Sequence, residues 1–86
     1  MISRKITLLP GNGLHARPVS RIINYLEGFT SRVTMEYQGQ VANCKSAIGL
    51  LSLGAVGGAE VEITADGPNE IAEMEQFAQF LAILEH

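Results

Sequence analysis

The chain has 86 residues, 47% of them hydrophobic, and a formal charge of −3. That length suits one domain, which buries roughly 60–65% of the surface its unfolded chain exposes. The acidic balance argues against nonspecific binding to nucleic acid or anionic lipid. No apolar run approaches the ~18 residues of a membrane span, and a lone cysteine, Cys44, forms neither an internal disulfide nor a metal cage.

In chain order, residues 2–9 alternate loosely and predict a strand, closed by the turn residues Pro10-Gly11-Asn12-Gly13. This start is too short and too interrupted for a signal peptide, which predicts a cytoplasmic protein. Val19, Ile22, Ile23 and Leu26 then fall on one face of a helix beginning at Ala16, with Gly28 suited to its C′ position. Residues 31–37 predict a strand with Val33, Met35 and Tyr37 on one face. Gln38-Gly39 predicts a tight turn into a short strand over 40–43. Ser46 is placed to cap a short helix over 47–53, which Gly54, Gly57 and Gly58 break. Val61, Ile63 and Ala65 alternate with polar residues as a fourth strand. Ile71, Met74, Phe77, Ala78 and Leu81 give the stripe of a last helix. Leu84-Glu85-His86 look like the opening of a histidine tag, so His86 is given no role.

The order β-α-β-β-α-β-α predicts an α+β open-faced sandwich. Its four-stranded antiparallel sheet is covered on one face by three helices, because the helices must share a face to bury their stripes. Nothing in the pattern demands more than a monomer. Cys44 reads as a small buried filler.

The chemistry gathers at His15. It occupies the N-cap of the first helix, with Ala16, Arg17 and Pro18 in the first turn. Pro18 costs little there, since first-turn N–H groups have no partner inside the helix. Those N–H groups and the helix dipole make an anion site, to which Arg17 adds a permanent cation with a planar donor fork. Positive surroundings disfavour a further charge on the ring, so the pattern predicts a neutral, nucleophilic imidazole. The same donors would then welcome a phosphate attached to it. The plainer alternative is an ordinary capping histidine beside a solvated arginine. A metal site is poorly served by two histidines.

The second helix is too short to bury both of its apolar stripes. Leu50 and Leu53 can face the core, which leaves Ile48 and Leu51 partly exposed as a docking patch. Val19 and Ser20 could border the same surface.

Gly13-Leu14-His15-Ala16-Arg17-Pro18 resembles the active-site signature of the HPr family, the histidine-containing phosphocarriers of the bacterial phosphoenolpyruvate-dependent sugar phosphotransferase system. Gly28-Phe29-Thr30-Ser31 resembles the family's segment after its first helix. Lys45-Ser46 with Gly49, Leu50, Ser52, Leu53 and Gly54 resembles its second signature. The resemblance spans about residues 2 to 83.

It implies that His15 accepts a phosphoryl group on Nδ1 from phosphorylated enzyme I and passes it to IIA domains of sugar permeases. Arg17 and the N–H groups of Ala16 and Arg17 would hold the phosphate. Ser20, Ile48, Leu51 and Gly54 would dock partners. Ser46 would be the regulatory site of an HPr kinase/phosphorylase. No cofactor or metal is implied, and the protein would be a carrier, not an enzyme.

Two rivals stand beside this reading. One is a regulatory or nitrogen-type relay paralogue; retention of His15 excludes serine-switched relatives that lack it, and Lys45-Ser46 favours the sugar branch. The other is a binding module without transfer chemistry, for RNA or an effector. The acidic balance and the lack of an aromatic-rich strand weigh against RNA.

Overall fold

A computed structural model describes residues 1–8 and 13–84. The turn predicted at residues 10–12, the last residue of the first predicted strand and the tag-like residues 85–86 lie outside the described residues. The elements are β1 (Ile2–Thr7), α1 (Ala16–Leu26), β2 (Arg32–Tyr37), β3 (Gln40–Asn43), α2 (Ala47–Leu53), β4 (Glu60–Asp66) and α3 (Glu70–Ile83). They form one antiparallel sheet in the order β1-β4-β2-β3. β4 therefore inserts between the two strands that α1 joins.

Register decides which side chains meet the helices. Val61, Ile63 and Ala65 of β4 stand opposite Ile6, Arg4 and Ile2 of β1. On the other side of β4, Ala65 and Ile63 pair with Val33 and Met35. The period-2 alternation sends this row into the helix layer and leaves Glu62, Thr64 and Thr34 on the open face. Ile22 and Leu26 of α1, Leu50 of α2, and Met74, Phe77 and Leu81 of α3 complete the core. Each such side chain contributes about 1.5–3 kcal/mol when fully buried.

The helix ends follow their sequences. α1 begins at Ala16 and is left through Gly28 at φ +89°. Ser46 Oγ accepts the N–H of Gly49 at 3.1 Å and caps α2, which closes on Gly54 in the left-handed conformation. Gln38 and Gly39 both have positive φ, as a two-residue hairpin turn of the primed type requires. Tyr25 of α1 stacks on Phe80 of α3 with ring centroids 4.1 Å apart. Its hydroxyl donates to the Gln76 carbonyl at 3.2 Å, which ties the two helices together.

The apolar stripe of α3 differs from its sequence pattern at one turn. Ile71 is 75% exposed, and Glu73 is buried instead. The first turn of α3 faces the loop between α1 and β2, where backbone donors need an acceptor. Glu73 Oε1 accepts the N–H of Ser31 and Oε2 that of Thr30, both at 2.9 Å. The Thr30 hydroxyl adds longer bonds to the same carboxylate, at 3.2 and 3.3 Å. This is also why β2 starts at Arg32: the Ser31 amide belongs to Glu73 and not to the sheet.

Gly67 lies against the same loop. A Cβ built there would stand 2.7 Å from Ser31 Cα, a backbone atom that cannot step aside. Gly67→Ala is expected to cost about 1–3 kcal/mol through this overlap, read as a lower midpoint in urea unfolding.

Cys44 is fully buried, and its Sγ–H is pushed up to about 12 by burial. The native protein should resist a thiol reagent at neutral pH and react stoichiometrically once unfolded. Fast reaction of the folded chain would show that the strand end around Cys44 opens readily.

Candidate functional site

The site is assembled from two glycine-rich approaches that meet beside α1. Leu14 N–H donates to the Ala55 carbonyl at 2.8 Å, which brings the segment after α2 against the segment before α1. Gly13 makes this approach possible. A Cβ there would lie 3.2–3.3 Å from backbone atoms of Ala55, Val56 and Gly57. Between the two segments is an open cleft of about 400 Å³, lined by Gly13, Leu14, His15, Ala55, Val56 and Gly57.

His15 is exposed at the N-cap position of α1, with extended backbone (φ −127°, ψ −177°). Its carbonyl accepts the N–H of Val19 at 3.0 Å, but its side chain does not cap the helix. The first turn supplies the backbone donors of Ala16 and Arg17, Pro18 has none, and that of Val19 is committed to His15. Arg17 is exposed on this turn, and Pro18 and Val19 are buried beneath it. His15, Ala16 and Arg17 are thus consecutive at the start of α1.

A second surface adjoins them. A hollow of about 240 Å³ lies between α1 and α2, walled by Ala16, Val19, Ser20, Ile23, Ala47 and Leu51. Ile48 is 79% exposed and Leu51 43%. Both lie off the stripe of Leu50 and Leu53, which takes the buried side of α2. Gly54 is exposed and borders the His15 cleft. Ser46 is partly exposed with its Oγ on the Gly49 N–H, and Lys45 next to it donates from Nζ to the Phe29 carbonyl at 3.1 Å. Among the described residues, no group of three or more His, Cys, Asp or Glu is placed to hold a metal ion. Nor is any helix among them long and apolar enough to cross a membrane.

Sequence reasoning missed two contributors. Val56, 60% exposed in the wall of the cleft, belongs to a run read only as a helix breaker. Its signal is the small-residue composition of residues 54–59, which permits backbone to approach backbone. The bond from Lys45 to Phe29 joins residues sixteen apart and has no local signal.

One four-stranded antiparallel sheet covered by three helices defines the class, a small α+β open-faced sandwich. Residues 2–82 match the model of the PTS HPr component phosphorylation site, and the chain belongs to the HPr family. An HPr of Thermoanaerobacter tengcongensis is similar at 28% identity and TM-score 0.88, covering 95% of this chain and 92% of that one. The phosphocarrier protein HPr of Bacillus anthracis is similar at 26% identity and TM-score 0.86, covering 93% and 95%. The Bacillus subtilis catabolite repression protein Crh, seen as a domain-swapped dimer, is similar at 33% identity and TM-score 0.76, covering 99% and 100%. Because the relatives include dimers, the family gives no support to the expectation of a monomer.

Proposed function

We propose that this chain is a cytoplasmic phosphoryl carrier of the sugar phosphotransferase system. His15 accepts the phosphoryl group of phosphorylated enzyme I and passes it to IIA domains of sugar permeases. On acceptance a His15 ring nitrogen attacks phosphorus, a P–N bond forms and the donor's bond to phosphorus breaks; on delivery the acceptor's nucleophile attacks phosphorus and that P–N bond breaks. The observation that carries this reading is the exposed His15 imidazole, held at a helix N-terminus that it does not cap. An anion attached there meets the first-turn N–H groups and the positive end of the dipole, worth about 0.3–1 kcal/mol when exposed. That steadies a phosphate without trapping it.

The test is incubation with phosphoenolpyruvate and enzyme I. An acid-labile phosphate is expected on the parent and none on His15→Ala. Equal labelling of both proteins, or of neither, would reject the assignment.

Ile48 and Leu51 supply exposed apolar surface for docking, and Ser20 and Gly54 border it. Ile48→Asp or Leu51→Asp is expected to weaken the enzyme I complex at least tenfold, about 1.4 kcal/mol, with the thermal midpoint unchanged. An unaltered affinity would remove these side chains from the interface.

A second reading is favoured by one comparison: identity to Crh, at 33%, exceeds that to either HPr named above. In it, Ser46 takes a phosphoryl group from ATP through an HPr kinase/phosphorylase, and the product is a regulatory form. A phosphate at a helix N-cap is electrostatically favoured, so this modification need not unfold α2. The expected product is an acid-stable, alkali-labile adduct, absent in Ser46→Ala. Both modifications are compatible with one chain, and the two chemistries of the adduct separate them.

A further inference from the structure

The last turn of α1 contains no basic residue, although the carbonyl end of a helix favours a cation. The cation comes from sixteen residues away. Lys45 Nζ donates to the Phe29 carbonyl at 3.1 Å, one residue past the Gly28 through which α1 is left. The Phe29 N–H donates to the Leu26 carbonyl at 3.0 Å, so the lysine grips the residue that closes the helix. From the other side α3 grips the next residues: Asn69 Nδ2 donates to Thr30 Oγ1 at 3.3 Å, and Glu73 accepts the Thr30 and Ser31 amides. The Phe29 ring is partly buried, with its centroid 5.7 Å from that of Tyr25, the ring that stacks on Phe80. What holds Phe29 therefore bears on the seam between α1 and α3.

Lys45 is followed directly by Ser46, and it is the only cation of the chain beyond Arg32. It is exposed, and its present acceptor is a neutral carbonyl. A phosphoserine carries about −1.5 to −2 charge at neutral pH and three strong acceptor oxygens. Attraction between opposite charges then adds to the hydrogen bond, and bonds between ionised groups are the strong ones. A lysine has a flexible four-carbon stem and three rotatable donors, so it can change acceptor by side-chain rotation alone.

We infer that phosphorylation of Ser46 draws the Lys45 ammonium off the Phe29 carbonyl, so that the modified form differs from the unmodified one at the C-terminal end of α1 as well as in charge. The inference rests on the Ser46 reading above and deepens it. In the modification Ser46 Oγ attacks the γ-phosphorus of ATP. An O–P bond forms, the bond to ADP breaks, and the hydroxyl proton is released to solvent. Lys45 takes no part in that exchange of bonds. It is a positioning residue that ties α1 to the start of α2 in one form and pairs with the phosphate in the other.

The experiment follows the Phe29 carbonyl carbon by NMR in isotope-labelled chain, before and after treatment with ATP and an HPr kinase/phosphorylase. Accepting a hydrogen bond deshields a carbonyl carbon, so its loss moves the signal upfield. Lys45→Met keeps the stem without the ammonium, and its Phe29 signal is expected upfield of the parent's. Phosphorylation of the parent is expected to move the signal at least half of that distance, and phosphorylation of Lys45→Met to move it no further. A second reading comes from the phosphorus signal of the phosphoserine, titrated with pH. A nearby ammonium favours the dianion, so the second ionisation should fall at lower pH in the parent than in Lys45→Met. Lys45→Arg, which keeps the charge, is expected to restore the lower value. A Phe29 signal that moves less than half of the distance would show that the tether survives modification. Equal phosphorus titrations in the parent and Lys45→Met would show that the lysine does not reach the phosphate. Either result overturns the inference while leaving Ser46 as a modification site. A parent that takes no phosphate on Ser46 would instead reject the Ser46 reading, and this inference with it.

Discussion

Glu73→Ala is expected to lower the unfolding free energy by about 3 kcal/mol at neutral pH, because it strips two backbone donors of their acceptor. The Thr30 and Ser31 amides each reach a Glu73 oxygen at 2.9 Å, and Glu73 is only 8% exposed. A hydrogen bond to a charged group contributes about 1.5–3 kcal/mol, and an orphaned buried donor costs about 1–3 kcal/mol. Water entering the space would recover part of the loss, which keeps the total below the sum of the separate terms. Against a native stability of about 5–15 kcal/mol, the change is large. Glu73→Gln should fall between: its carbonyl can serve one amide, while its NH2 opposes the other. A urea midpoint within error of the parent for Glu73→Ala would show that this carboxylate is not what holds the loop.

The same carboxylate makes part of the stability depend on pH. Burial pushes the Glu73 carboxyl up, but the hydrogen bonds from Ser31 and Thr30 outweigh it and hold the group below the ordinary carboxylate value. The folded state therefore binds this proton less tightly than the unfolded chain does. The contribution is complete above the unfolded value, about 4.3, and disappears as pH falls through the lower folded value. The stability gap between the parent and Glu73→Ala should accordingly narrow on acidification. A gap that stays constant through the carboxylate range would contradict the depressed value.

Glu73 also shows where the sequence was readable and where it was not. Period-2 alternation put Val33, Met35 and Tyr37 on one face of β2 and set Val61, Ile63 and Ala65 apart on β4; Tyr37 is partly buried and the other five are buried. Helical spacing together with cap residues placed α1 at Ala16 and α2 at residues 47–53, and both agree with the structure. These features are local: each is written in a few consecutive residues. The stripe of α3 was legible except in its first turn, where a carboxylate answers donors forty-two and forty-three residues away. No local rule carries that pairing, although its i+4 spacing to Phe77 puts Glu73 on the core side of the helix. The candidate site divides in the same way. The helix mouth at His15, Ala16 and Arg17 is contiguous and could be read directly. Val56 reaches the cleft only because Leu14 bonds to Ala55, a contact between segments forty-one residues apart.

The contiguous part leads to the second large effect. Arg17→Ala is expected to lower kcat for phosphoryl transfer by about 100-fold, or ~2.7 kcal/mol. The reason is a count of donors. A transferring phosphoryl group spreads charge over three equatorial oxygens. The helix mouth offers the N–H groups of Ala16 and Arg17, while Pro18 has none and Val19 N–H is bonded to the His15 carbonyl. Two backbone donors cannot serve three oxygens, and the Arg17 guanidinium can serve the third with a planar fork and a full charge. The interaction strengthens as charge develops, so its loss should fall on kcat and not on KM. Arg17→Lys keeps the charge without the fork, and about a tenfold loss is expected of it. Should Arg17→Ala raise KM alone, the guanidinium would belong to the docking rim, and the helix mouth would have to stabilise the phosphate with two donors and its dipole.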